Sequence, residues 1–248
     1  MVWDLNLIYV SPFNYLRVFM KTSFFISALF GALSLSSVSY ANAFCQTAID
    51  DINTAYQKYT DYENNTDDDG SQLSALIKKT LSDKQSLNCD WSELKDFNVE
   101  KSPDGRLLSL DWRIDGGGTM HVYDTVLQYH NGNYLNVISG DGGYVLDIDQ
   151  MTLNNQPVYF INDWEAGYTS LHGQTLSLFT LKNNQLIPAN MIKTKKGLTN
   201  KIDFIYNPFS IPDDIEELIQ INAKKKEFTI PVVIENEQYR NGEVTKRV

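Results

Sequence analysis

The stretch from Cys45 to Cys89 contains two segments, CQTAIDDINTAYQKYTDY (residues 45–62) and SQLSALIKKTLSDKQSL (residues 71–87). In both segments apolar residues recur at three- and four-residue spacing, which places their side chains on one face of a helix. These residues are Ile49, Ile52, Tyr56 and Tyr59 in the first segment and Leu73, Leu76, Ile77 and Leu81 in the second. The Asp- and Gly-rich sequence between the segments is typical of one helix ending and another beginning. The sequence therefore predicts a hairpin of two helices.

The residues before this hairpin have the features of an export signal. Residues 20–43 have the sequence MKTSFFISALFGALSLSSVSYANA, with Lys21 ahead of an apolar stretch and a small-x-small cleavage site that ends at Ala43. Spanning a bilayer requires about 20 predominantly apolar residues, and this stretch is shorter and interrupted by serines. We therefore predict a signal peptide over residues 20–43, with residues 1–19 as a misassigned upstream extension.

Cleavage after Ala43 would leave residues 44–248 as a single α+β domain in the periplasm or outside the cell, with no membrane attachment. The domain would consist of the helical hairpin over residues 44–89 and an antiparallel sheet over residues 97–248. The whole chain carries 31 acidic and 21 basic residues, a formal net charge of −10. This charge repels nucleic-acid phosphates and anionic lipids. No nucleic-acid partner is expected, and a basic protein or a glycan is the candidate partner.

The predicted hairpin brings together the only two cysteines of the chain, Cys45 and Cys89. At 1.5 Å per residue the two helices are about 27 Å and 26 Å long. In an antiparallel pair the start of the first helix therefore lies beside the end of the second. Since cysteines of exported proteins are usually oxidised, we predict a Cys45–Cys89 disulfide that closes the hairpin.

The loop between the helices carries Asn65, Asp67 and Asp69 at alternate positions before Gly70. This pattern matches the first half of a calcium-binding loop, because alternating oxygen ligands and a sharp glycine turn wrap the ion. The twelfth position is Leu76 rather than the Glu that completes the coordination. The simpler interpretation is a solvated acidic loop in which Asp69 caps the second helix. No cofactor is predicted for the chain.

From residue 97 onward apolar and polar residues alternate, which is the period of half-buried strands. Turn signals such as Asn131-Gly132 and Asn183-Asn184 divide this region into short strands. Matching the apolar faces of the first two strands pairs Trp112 with Val122. An acidic segment over residues 213–224 predicts a short helix. Together these features predict a mostly antiparallel sheet of sequential hairpins, on which the helical hairpin packs.

Two groups of side chains are candidates for a binding surface: Asp111, Arg113, His121 and Tyr123 on the polar face of the first hairpin, and Trp164 and Tyr168 in a longer loop over residues 163–173. Cross-strand positions bring the first group within contact distance, although an ion pair on an exposed sheet face is the simpler interpretation. The two aromatic side chains of the loop would bind a ligand if exposed. If buried, they would fold the loop onto the core.

The segment Gly117-Gly118-Thr119-Met120-His121, followed by Tyr123 and Gln128-Tyr129, resembles part of uncharacterised secreted bacterial proteins of about this size. Those proteins carry a similar Trp-containing strand, Gly-Gly-Thr-Met-His segment and aromatic strand. The resemblance implies an exported, bacterial, sheet-rich protein and adds no catalytic residue.

The sequence lacks the motifs of the common enzyme chemistries. It has no Gly-x-Ser-x-Gly, no His-Glu-x-x-His, no phosphate-binding glycine loop and no dinucleotide fingerprint. The sequence therefore favours a non-enzymatic binding or inhibitor-type protein of the periplasm. The alternative is a hydrolase of envelope polymers that uses His121 or carboxylates such as Asp111, Asp147 and Asp149 as acid or base.

Overall fold

The computed structural model describes residues 27–61, 70–114, 121–166, 171–213, 215, 217–234 and 242–247, with side chains between residues 43 and 245. These residues form two α-helices and a series of short strands, all of them paired antiparallel. The α+β class predicted from the sequence is confirmed. Asn65, Asp67 and Asp69 of the possible calcium loop, and the loop residue Tyr168, lie outside the described residues.

Helix α1 spans Ser27–Thr60 and helix α2 spans Ser71–Leu81. The predicted cleavage site at Ala43 lies within α1, and a compact unit extends from Ala41 to Val248. No helix in the described part of the chain has an apolar run sufficient to cross a membrane.

The predicted helical hairpin and its disulfide are confirmed. Cys45 and Cys89 are bonded, with their Cα atoms 5.2 Å apart. The predicted apolar faces are buried: Ile49, Ile52, Tyr56, Leu73, Ile77 and Leu81 are all less than a tenth exposed. The N-cap of α2 is Gly70, in the left-handed conformation at a φ of 70°, where the sequence predicted a cap by Asp69.

The first sheet has the order β1-β2-β3-β4 and lies beneath the helices. Its strands are β1 (Phe97–Lys101), β2 (Leu107–Arg113), β3 (Tyr123–Asn131) and β4 (Tyr134–Ser139). One face of β2, including Leu110 and Trp112, packs on the helices. The side chain of Gln128 on β3 donates a 2.6 Å hydrogen bond to the carbonyl of Leu81. The sheet therefore satisfies a carbonyl that the end of α2 leaves open.

The register of the first hairpin differs from the prediction by two residues. The sequence pairs Trp112 with Val122, whereas in the structure Trp112 lies opposite Asp124 and Leu110 lies opposite Val126. The predicted register would have placed Leu110 opposite Asp124. The observed register pairs Leu110 with Val126 and moves Asp124 opposite Trp112 instead. It also lengthens the connection, which costs little because loop closure entropy rises only slowly with length.

A second sheet has the order β11-β7-β6-β5, with β8 paired to β7. Its strands are β5 (Tyr144–Leu153), β6 (Gln156–Ala166), β7 (His172–Lys182), β8 (Gln185–Pro188) and β11 (Lys201–Tyr206). Three short antiparallel pairs complete the described strands: β9 (Ile192–Thr194) with β10 (Gly197–Thr199), β12 (Gln220–Asn222) with β13 (Glu227–Thr229), and β14 (Pro231–Val233) with β15 (Val244–Arg247).

A β-bulge at Leu146 sets which face each side chain of β5 occupies. Val145 pairs with Asp163 and Asp147 pairs with Asn162, which leaves Leu146 as an extra residue that is 41% exposed. Without the bulge Val145 and Asp147 would share a face. With it, Val145 faces the first sheet and Asp147 faces away from it.

The short helix predicted over residues 213–224 is wrong. The described residues of this segment are extended or in turns, and Gln220–Asn222 forms β12, which pairs with β13. Leu218 and Ile219 are buried in the cluster on the outer face of the second sheet. Burial of these apolar residues against the sheet outweighs the helical propensity of the acidic segment.

Three apolar clusters alternate with the two sheets. The first lies between the helices and the first sheet, the second lies between the two sheets, and the third lies on the outer face of the second sheet beneath the C-terminal segments. Leu107, Leu127, Tyr159 and Ile161 belong to the cluster between the sheets. The Tyr159 hydroxyl also donates a 2.9 Å hydrogen bond to Asp104 in the turn between β1 and β2. Both faces of each sheet are therefore in contact with another layer.

Replacing both cysteines by serine (Cys45→Ser with Cys89→Ser) should lower the free energy of unfolding by about 4 kcal/mol, because the crosslink closes a loop of 44 residues in the unfolded chain. Urea unfolding of the variant and of the wild type measures the difference. Wild type reduced with dithiothreitol is the control and should unfold at the midpoint of the variant. Two reactive thiols in the native, unreduced protein would contradict the prediction.

Candidate functional site

Asp111, the first of the sequence candidates, lies between the two sheets and is only 1% exposed. It accepts hydrogen bonds from the side chains of Asn98 at 3.0 Å and Ser109 at 2.7 Å, and from the backbone N–H of Val145 at 3.0 Å. Burial raises its pKa to about 6, and these hydrogen bonds oppose the rise. The expectation that Asp111 lies on a solvent-exposed face is wrong, because the second sheet covers that face of β2. Its carboxylate joins β1, β2 and β5.

Arg113, Tyr123 and His121 remain at the open end of the first hairpin. Arg113 lies opposite Tyr123, and all three residues are partly exposed. The ring of Tyr123 packs edge-on against Tyr144 at a centroid distance of 5.2 Å. Asp111 lies opposite Thr125, which is not a member of the predicted group. The structure therefore buries one member of the predicted group and leaves the other three partly exposed.

Trp164 belongs to an aromatic cluster on the second sheet. Its indole N–H lies 3.2 Å from Nδ1 of His172, and the two rings meet edge to face at 5.0 Å. His172 in turn packs against Tyr206 at 5.8 Å. Burial lowers the pKa of His172. These contacts favour a packing role for Trp164 over a free binding platform.

An acidic cavity of about 540 Å³ lies on the outer face of the second sheet. Its floor is formed by Asp147 and Asp149 on β5, and its other walls come from Glu217 and from the β12–β13 hairpin with Glu227 and Lys225. Asp147 and Asp149 are alternate residues of one strand and therefore point to the same side. We call this feature the acidic cavity.

One oxygen of Asp147 is held in place and the other is not satisfied. The side-chain amide of Gln174 donates to Asn162 at 2.8 Å, and Asn162 donates to Oδ2 of Asp147 at 2.9 Å. Both amide side chains are buried. The second oxygen, Oδ1, is buried and has no hydrogen-bond partner. Since buried polar atoms in proteins are nearly always paired, this oxygen makes Asp147 the acid of the cavity that most lacks a donor.

The carboxylates of the acidic cavity repel one another. Burial raises the pKa of Asp147, and the charges of Asp149 and Glu217 raise it further against the hydrogen bond from Asn162. Burial and Glu217 likewise raise the pKa of Asp149. Lys225 is the cation in the cavity wall, and its Nζ lies 3.4 Å from Glu227, in an ion pair that is largely exposed. Exposed pairs of this kind contribute little, so the cavity carries excess negative charge.

No three His, Cys, Asp or Glu side chains of the described residues converge as a set of metal ligands. The acids of the cavity are instead spread over a floor and two walls. A site of this size accepts a molecular group rather than a single small ion. The arrangement is suited to a ligand whose positive charges are also spread out.

The sequence only partly identified this site. Asp147 and Asp149 were available as alternate acids on a predicted strand, and that alternation is the signal that could have placed them together. Glu217 and the β12–β13 hairpin lay within or after a segment predicted as helix, so their approach to β5 was not visible in the sequence.

A second acidic residue, Asp163, lies beside Asp111. Asp163 is the cross-strand partner of Val145, whose N–H binds Asp111. Burial raises the pKa of Asp163 to about 7, the charge of Asp111 adds to the rise, and Lys201 opposes it. The sequence reasoning had assigned residue 163 to a loop, whereas β6 continues to Ala166.

No protein-family model, no curated protein and no solved structure matches this chain. The geometry and charge of the chain itself are therefore the basis for its proposed function.

Replacing Asp111 by alanine should lower the free energy of unfolding by about 2–4 kcal/mol, because three buried donors on three strands would lose their acceptor. Urea unfolding at pH 7 measures the change. Asp203→Ala on β11, where the side chain is exposed, is the control and should change stability by less than about 0.5 kcal/mol. Equal effects of the two substitutions would contradict the role assigned to Asp111.

The stability of the protein should fall as the pH rises from about 5 to 8. Asp163 and Asp111 have pKa values of about 7 and about 6, above their ordinary value of 3.8, so the folded state holds protons that the unfolded state has released. The stabilisation that these two raised pKa values give the folded state is complete below about pH 4. It is lost as the pH rises through about 6 and 7. Asp163→Asn should raise the thermal midpoint at pH 8 by several degrees and flatten this slope. A midpoint that falls in the variant would contradict the prediction, and thermal unfolding at half-unit pH steps measures it.

Proposed function

We propose that this protein is an exported, non-enzymatic binding protein that holds positively charged side chains of a basic protein in the acidic cavity. The observation that carries the proposal is the buried, unpartnered Oδ1 of Asp147 in a cavity whose other ionisable groups are mostly acids. The signal-peptide features of residues 20–43 and the Cys45–Cys89 disulfide support export to the periplasm or beyond.

The electrostatics of the cavity support a cationic ligand. Burial and the neighbouring carboxylates disfavour the charged forms of Asp147 and Asp149, which is why their pKa values are raised. A cation placed among them would lower this repulsion and offset the loss of water. The net charge of −10 would also attract a basic partner over distance.

The hairpin over the cavity contains an internal example of such an interaction. Lys225 reaches Glu227 with its ammonium group at 3.4 Å, on the rim of the cavity. This single pair leaves Asp147, Asp149 and Glu217 without a cation among the described residues of the wall. Lysine or arginine side chains from a partner would complete the charge balance in the same way.

A basic protein is better supported than a glycan as the partner. Glycan sites commonly offer exposed aromatic rings, whereas Trp164 is packed against His172 and the acidic cavity has one aromatic residue, Phe228, among mostly charged and polar ones. The hydrolase alternative also has less support. One of its candidate acids, Asp111, has its oxygens engaged by three donors and lines neither of the cavities at the second sheet. Its other candidate acids, Asp147 and Asp149, do line the acidic cavity, so that alternative depends on these two residues.

A capped tetralysine peptide should bind the purified protein, and the double substitution Asp149→Asn with Glu217→Gln should weaken binding roughly tenfold, since two lost ion pairs of about 0.7 kcal/mol each amount to that factor. Isothermal titration calorimetry at low and moderate salt measures the affinity. The same peptide with acetylated lysines should not bind, because acetylation removes the charge.

The matched control is Asp51→Asn with Glu93→Gln, which removes two exposed acids from the helical side of the molecule. This control has the same net charge as the cavity variant and should bind tetralysine within about twofold of wild type. Equal weakening by both double variants would mean that binding follows net charge alone, and the proposal would then be wrong. Binding of neutral oligosaccharides but not of tetralysine would also overturn it.

A further inference from the structure

A smaller cleft of about 110 Å³ lies between the two sheets, where β3 and β4 diverge from β6 and β7. Its walls are largely apolar and include Leu127, Ile138 and Phe179. Asp163, Ser139 and Ser177 also line it, and Ser177 faces the first sheet because it pairs with Ile161. We call this feature the intersheet cleft. The cleft therefore combines largely apolar walls with the carboxylate of Asp163.

Asp163 has no internal partner in the described part of the chain. Its carboxylate accepts no hydrogen bond and forms no ion pair there, although burial strongly disfavours its charge. The other charged groups that act on it are Asp111 from the first sheet, Asp141 at the rim, Glu165 on the same strand and Lys201 on β11. Three acids thus outnumber the single base. Asp163 is partly buried, so its carboxylate can be reached from the cleft, and a cation that enters the cleft would offset the loss of water around this charge.

We infer that the intersheet cleft binds a primary alkylammonium group, with Asp163 as its counter-ion. The walls would contact the alkyl chain, and the ammonium would donate to the carboxylate of Asp163 and to the hydroxyl of Ser177, with its third N–H left for water. The volume holds about four to seven water-sized groups, the size of a four-carbon amine. The acids around the cleft would repel an anion. An uncharged ligand would remove water from Asp163 without supplying a positive charge.

This site is separate from the acidic cavity. Asp163 and Asn162 are consecutive residues of β6, so their side chains point to opposite faces of the second sheet. Asn162 holds Asp147 on the outer face, whereas Asp163 faces the first sheet. Either site can therefore be occupied or lost without the other.

The test is a titration of the ¹⁵N-labelled protein with n-butylammonium chloride at pH 8, followed by ¹H–¹⁵N NMR spectra. Saturable shifts are expected at the amides of Gly140, Gly142 and Val145 around the cleft, with a dissociation constant in the millimolar range that about −4 kcal/mol implies. n-Butanol has the same carbon chain and no charge, and it should produce no saturable shift.

Asp163→Asn should weaken butylammonium binding at least tenfold, whereas Asp141→Asn at the rim should change it less than threefold. Asp163→Asn removes a disfavoured charge and is therefore expected to fold. Ile138→Trp is a second variant that fills the cleft without changing its charge, and it should also abolish binding. Binding that survives both substitutions, equal shifts with butanol, or no saturable shift in wild type would overturn the inference.

Two further titrations identify the source of the amine and distinguish this inference from the proposed function of the acidic cavity. Nα-acetyl-lysine methylamide should produce the same shifts if the natural ligand is a lysine side chain, and butylammonium alone should do so if it is a free amine. Either result supports the cleft as an ammonium site. The cavity variant Asp149→Asn with Glu217→Gln should leave the butylammonium shifts unchanged, so failure at the acidic cavity does not affect this result.

Discussion

The carboxylate of Asp111 is the point on which the arrangement of the two sheets depends. It accepts one hydrogen bond from each of three strands, through Asn98, Ser109 and Val145. The bond to Val145 fixes β5 against the first sheet. Because β5 also supplies Asp147 and pairs with Asp163, both binding features take their position from this contact. A buried carboxylate that costs energy to desolvate thereby specifies how the layers meet.

Elements stabilised by local sequence patterns were predictable. The helical repeat and the two cysteines define the disulfide-closed hairpin. The register around Trp112 was not predictable in the same way. Two alternative registers both keep the apolar faces together, and the choice depends on individual cross-strand pairs and on the connection.

Features that depend on contacts between distant segments were missed. The helix predicted over residues 213–224 is a hairpin strand because Leu218 and Ile219 are buried on the second sheet. Asp111 was placed in solvent because alternation along a strand shows two faces but does not show that another sheet covers the polar one. The acidic cavity was missed for the same reason, since its floor is on β5 whereas Glu217 and β12 in its walls belong to the segment that the sequence assigned to a helix.

The bulge at Leu146 determines both the contact of β5 with the first sheet and the direction of its two aspartates. One additional residue changes the phase of β5, so that Val145 can bind Asp111 while Asp147 and Asp149 point outward. A related chain one residue shorter at this point would have to give up either the sheet-to-sheet bond or the outward-facing acids. The spacing from the double glycine 142–143 to the two aspartates is therefore a diagnostic feature for recognising distant homologues that retain the same pocket.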